Sequence, residues 1–62
     1  LVEHQWEVDV FVEENDDRFV SSVTLEAESE AEAERLAMAE MGRALAILSP
    51  RSKVAGARAR RK

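Results

Sequence analysis

Six cations close the chain. Arg51, Lys53, Arg58, Arg60, Arg61 and Lys62 fall within residues 51–62, with no acid among them. Clustered guanidinium and ammonium groups displace counterions from phosphates, so this run is a candidate contact for nucleic acid, non-specific and steeply salt-dependent. It contains no aromatic residue to stack on bases, which disfavours sequence-specific reading of single strands. The same charges are also accounted for by a run that folds back on an acidic body, aids solubility, or meets a protein or membrane surface.

Other residue types that could do chemistry are sparse. The acids Glu13, Glu14, Asp16 and Asp17 lie close together, but without the spacing, the glycine or the distant glutamate of a calcium loop, so they fit a solvated turn better. His4 is the only histidine and stands near the N-terminus, where it serves poorly as a general base. Ser21, Ser22, Ser29, Ser49 and Ser52 have no histidine near them in sequence to activate a hydroxyl. Gly42 and Gly56 are the only glycines and form no phosphate-cradling pattern. Without cysteine there is neither a disulfide nor a thiolate for a structural zinc site. We therefore expect no catalytic residue, no cofactor and no metal.

The body that carries the cations is acidic. Residues 1–50 hold all 13 acids against Arg18, Arg35 and Arg43, a net of −10, whereas residues 51–62 carry +6; together these give the chain's −4. Sixty-two residues make one domain, and so short a chain buries only about 60% of its unfolded surface, which makes pairing with a second copy a natural remedy. No stretch approaches the roughly 18 apolar residues of a membrane span, and no basic-then-apolar leader opens the sequence, so a cytoplasmic, non-membrane protein is expected. The chain opens on Leu1 rather than Met, which leaves room for an initiator, a tag or an upstream part.

Three elements must position these charges. Trp6, Val8, Val10 and Val12 alternate with Glu7, Asp9, Phe11 and Glu13, which predicts a strand over about 5–13 with one apolar and one mainly acidic face. Glu14-Asn15-Asp16-Asp17 supplies a turn. A second strand over about 18–27 turns Phe19, Val23, Leu25 and Ala27 inward, with Ser21 among them, and Val20, Ser22, Thr24 and Glu26 outward. Phe11 on the outer face then calls for a cross-strand partner such as Val20, and the two together could mark a patch covered by a binding partner.

A helix over about 30–48 follows. Ser29 and Glu32 are spaced as a reciprocal capping box, and Ser49-Pro50 stops the helix because proline lacks an N–H and disfavours helical geometry before it. Its apolar side chains spread over roughly 200°, twice the arc of an ordinary surface helix. Small residues, Ala33, Ala37 and Ala44 with Met41, occupy the middle of that arc. Leu36 and Ile47 on one flank and Met38 and Leu45 on the other are left for a second contact.

The expected fold is α+β: an antiparallel hairpin followed by one helix (ββα) in residues 1–50, with 51–62 as a basic tail that is flexible in isolation. A lone hairpin leaves two open edges, so the expectation is a homodimer with a four-stranded sheet and two helices on one face. Its interface would draw on Phe11, Val20, Leu36, Met38, Leu45 and Ile47.

The run Trp6-Glu7-Val8-Asp9-Val10, followed by the helix entry Ala27-x-Ser29-x-x-x-Ala33, resembles small orphan ββα proteins of bacteriophages. The richness in Ala, Arg, Glu and Val is similar to that of phages of high-GC actinobacteria, which implies a viral protein working in a host cytoplasm. The same stretch also resembles the opening of HicB-type antitoxins. Two functions are carried forward. One is a non-enzymatic, homodimeric accessory protein whose basic tail holds nucleic acid. The other is an inhibitor or antitoxin-like module whose acidic face, Glu7, Asp9, Glu13 and Glu26, covers a basic protein target.

Overall fold

A computed structural model describes residues 2–62 and places four elements in order: β1 (His4–Glu14), β2 (Asp17–Ala27), α1 (Glu30–Leu48) and β3 (Ser52–Arg61). The strands form one antiparallel sheet in the order β2-β1-β3, with the helix on one face, an α+β fold. Because β2 and β3 both run against β1, they are parallel to each other, and the crossover through α1 is a βαβ unit with β1 lodged in its middle. Among the described residues no helix is long and apolar enough to cross a membrane.

β1 is the centre of the molecule. Trp6 is 6% exposed and Val8, Val10 and Val12 are at most 1% exposed, because this strand alone is paired on both sides and roofed by the helix. Its link to β2 is a loop of two residues, Asn15 and Asp16, with Asn15 at φ 55, a left-handed conformation that asparagine adopts readily. The resulting register sets Phe11 opposite Val20, as the alternation predicts. The Trp6 indole Nε1–H donates to the Ala27 carbonyl at 2.9 Å, so the one polar atom of the largest core side chain is satisfied at the point where β2 ends.

The helix begins and ends where its signals lie. The Ser29 hydroxyl accepts from the Glu32 N–H at 3.2 Å, and the Ser49 N–H closes the last turn on the Leu45 carbonyl at 2.8 Å. The Glu32 carboxylate reaches back to the N–H of Glu28, at 3.4 Å, rather than to that of Ser29. Ala33 and Ala37 are fully buried, and these small side chains let the helix settle closely onto β3 and β1, against Ala59 and Ala57.

Three expectations are corrected. Residues 51–62 are not a flexible tail: Ser52–Arg61 is a strand, held because Ala57 and Ala59 match the alanine face of α1 while Lys53, Arg58 and Arg60 stand opposite Glu13, Asp9 and Glu7. One of the two edges that the bare hairpin left open, that of β1, is therefore filled from within the chain, and the sheet of a single copy has three strands rather than two. The core is also smaller on the β2 side. With the helix over β3 and β1, Phe19 is 44% exposed and Val23 and Leu25 are half-buried, whereas Leu45, expected at an interface, packs against the chain's own core. In the last turn Ala44, Ile47 and Leu48 are exposed.

Candidate interaction surface

Three surfaces meet around β2 and β1. The first is the outer face of the sheet, which no helix covers. Within the strands it presents Glu7, Asp9, Glu13 and Glu26 together with Arg18, Lys53, Arg58 and Arg60, so acids and bases balance. Glu7, Asp9 and Glu13 occupy the central strand, with cations on both flanking strands and Glu26 on β2. Arg60 Nη2 pairs with Glu7 and lies 3.7 Å from Asp9, and Arg18 Nε lies 3.6 Å from Glu13. Ser22 donates to Asp9 at 2.8 Å. Phe11 is 41% and Val20 56% exposed in the middle of this face, and Gly56 on β3 leaves the space beside the Phe11 ring open.

The C-terminal cations are thus divided by the pleat of β3. Arg58, Arg60 and Lys53 point to the outer face, while Arg61 faces the helix side and pairs with no acid among the described residues; its Nη2 donates to His4 Nδ1 at 2.9 Å. Arg51 is exposed in the turn after Pro50, and the Lys62 N–H donates to the Gln5 carbonyl at 3.1 Å. Arg51, Lys53, Arg58 and Lys62 make no ion pair among the described residues.

The second surface is a groove of about 340 Å³ between β2 and α1, lined by Val23, Thr24, Leu25, Leu36 and Glu40. Ile47, 83% exposed, lies on the same side of the helix as Leu36, eleven residues or 20° of rotation away. Met38 and Leu45 are on the opposite flank, half-buried, so the six expected interface residues do not form one patch. A smaller hollow of about 170 Å³ opens at the hairpin end between Phe11, Arg18, Phe19, Val20 and Ala55. Ala55 is the extra residue of a bulge opposite Phe11 and Val12.

The third surface is the free edge of β2. Hydrogen bonding of the two-residue turn makes Glu14 and Asp17 a bonded pair, and bonded pairs then alternate, so Asp17, Phe19, Ser21, Val23 and Leu25 bond β1. The Gln5 carbonyl bonds towards β3, which fixes the same alternation from the other side. It follows that the backbone groups of Arg18, Val20, Ser22, Thr24 and Glu26 point away from the sheet. The edge of β3 differs. Its Ala59 N–H is taken by the Glu34 carboxylate at 3.0 Å, it carries the bulge, and four of its ten residues are cations.

The sequence reading left both edges of the hairpin open; the structure closes that of β1 with β3 and leaves that of β2 free, beside Phe19, Val23 and Leu25, which the sequence placed in a closed core. A readable signal exists: about Ser22 the sequence sets Leu25 against Phe19 and Glu26 against Arg18, apolar against apolar and acid against base. No protein-family model, curated protein or solved structure matches the chain.

Proposed function

We propose that the chain is a small non-enzymatic binding protein that accepts a strand from a protein partner on the free edge of β2. The partner's inward side chains then sit beside the groove between β2 and α1. The contrast between the two sheet edges carries this reading. Edges that must stay unpaired are blunted by cations, proline, bulges or a covering side chain. β3 has three of these devices, whereas β2 runs for eleven residues without proline, bulge or cover, beside half-open Val23 and Leu25. Main-chain hydrogen bonds would supply affinity and the groove selectivity, as in other cases of strand addition.

Less supports the two charge-based functions. Contact of the C-terminal cations with nucleic acid must compete with Glu7 and Asp9 for Arg60, and the acidic face offered to a basic target is lined on both sides by cations. Neither sign dominates the exposed sheet.

A soluble peptide of alternating valine and threonine tests the edge. Titrated into dilute ¹⁵N-labelled chain, it is expected to move the amide resonances of Arg18, Val20, Ser22, Thr24 and Glu26 and to leave those of β3 in place. Thr24→Pro removes an outward N–H without touching the β1 ladder, and it should abolish the shifts while leaving the far-UV spectrum unchanged. Shifts confined to β3 or to the outer face, or equal binding by Thr24→Pro, would overturn the proposal.

A further inference from the structure

The free edge of β2 has a complementary sequence close at hand, namely its own. We infer that the partner is a second copy of this chain, paired β2 to β2 about a two-fold axis through Ser22; this rests on the edge assignment above and names its occupant.

The register follows from three independent constraints. The first is hydrogen bonding. Only Arg18, Val20, Ser22, Thr24 and Glu26 offer outward groups, and antiparallel pairing about Ser22 matches all five: Ser22 with its copy, Val20 with Thr24, and Arg18 with Glu26, each in both directions. That makes about ten inter-chain backbone bonds, and a slip of two residues either way loses a bonded pair.

The second is charge. The register sets Arg18 of one copy opposite Glu26 of the other, twice, at the two ends of the joint. The Arg18 side chain is 82% exposed and only loosely engaged by Glu13 at 3.6 Å, and Glu26 makes no ion pair among the described residues. A slip by two residues places Arg18 opposite Thr24 or beyond the end of the strand.

The third is the side-chain face. Pairing about a residue, rather than between two, keeps helix-side positions opposite helix-side positions. Phe19, 44% exposed in the single chain, then faces Leu25 of the second copy, an aromatic–aliphatic cross-strand pair, and Ser21 faces Val23. Both helices lie on the same side of a six-stranded sheet ordered β3-β1-β2-β2-β1-β3. The two outer edges are then the β3 edges, already guarded by Glu34, the bulge and the cations. The assembly closes on itself, with no further edge inviting growth.

Charge reversal with rescue tests the register. Sedimentation equilibrium across low to high micromolar concentration should show a dimer for the wild-type chain. Arg18→Glu and Glu26→Arg each set like charges opposite one another at both ends, and each should weaken the dimer roughly ten- to a hundredfold. The double variant restores opposite charges and should recover dimerisation, with the single-variant defects shrinking in high salt. Folding of each variant is checked by far-UV circular dichroism.

A wild-type chain that stays monomeric while the valine–threonine peptide still binds β2 overturns the self-pairing and leaves the edge assignment standing. A monomer that does not bind the peptide overturns both. A dimer indifferent to Thr24→Pro, or one that the double variant fails to rescue, overturns the register.

Discussion

Trp6 shows how much rests on single atoms in so small a core. Its indole fills the space at the end of the sheet where β1, β2 and the start of α1 converge, and its Nε1–H satisfies the Ala27 carbonyl at 2.9 Å in a buried setting. Phenylalanine keeps most of the apolar contact and removes this one bond, while the Ala27 carbonyl keeps its ladder partner His4. A net hydrogen bond is worth about 0.5–1.5 kcal/mol, so Trp6→Phe should lower the urea midpoint by that amount of stability without altering the fold. Circular dichroism is the readout, since the variant removes the only tryptophan. An unchanged midpoint would mean that the indole N–H adds nothing to the ladder bond that the Ala27 carbonyl already accepts.

At the level of elements, the lesson lies in β3. The hairpin was legible because Trp6, Val8, Val10 and Val12 alternate with polar residues, and the helix because Ser29 and Pro50 mark its ends. In the middle of β3 the inward residues are Ala57 and Ala59, which bury little and favour strands weakly, with Val54 the one larger apolar side chain, so Ala57-Arg58-Ala59-Arg60 has the composition of a disordered basic tail. What makes it a strand lies elsewhere in the chain: Ala33 and Ala37 on α1 require a small-residue surface, and Glu7, Asp9 and Glu13 lie across the ladder. Complementarity of this kind is invisible to local periodicity. The same blind spot hid the half-open inner side of β2, because Phe19, Val23 and Leu25 have the pattern of core residues and the helix's lean towards β3 leaves them half-open. If β3 is integral, a chain ending at Arg51 should lose more than the roughly 5 kcal/mol that a small domain has to spare and show a collapsed amide spectrum. A truncated chain with native dispersion would return residues 52–62 to the status of an appendage.

The whole molecule is a thin body, 39 × 18 × 14 Å, with one helix on a three-stranded sheet and most of its fully buried side chains no larger than valine. The helix leans towards β3 and leaves β2 with a half-open face and an open edge. Joining two β2 edges extends the ladder and brings Phe19 against Leu25 of the other copy. Part of the folding free energy then resides in association, and thermal stability must follow mass action. With an unfolding enthalpy of about 0.7 kcal/mol per residue, a dimer of this chain that melts directly to two unfolded chains should gain about 6 °C in Tm for each tenfold rise in concentration. Scanning calorimetry over two decades of concentration measures this directly. Thr24→Pro blocks the edge, so its Tm should be lower and independent of concentration. A wild-type Tm that is equally flat would show that the single chain sustains itself and that the open side of β2 contributes nothing to stability.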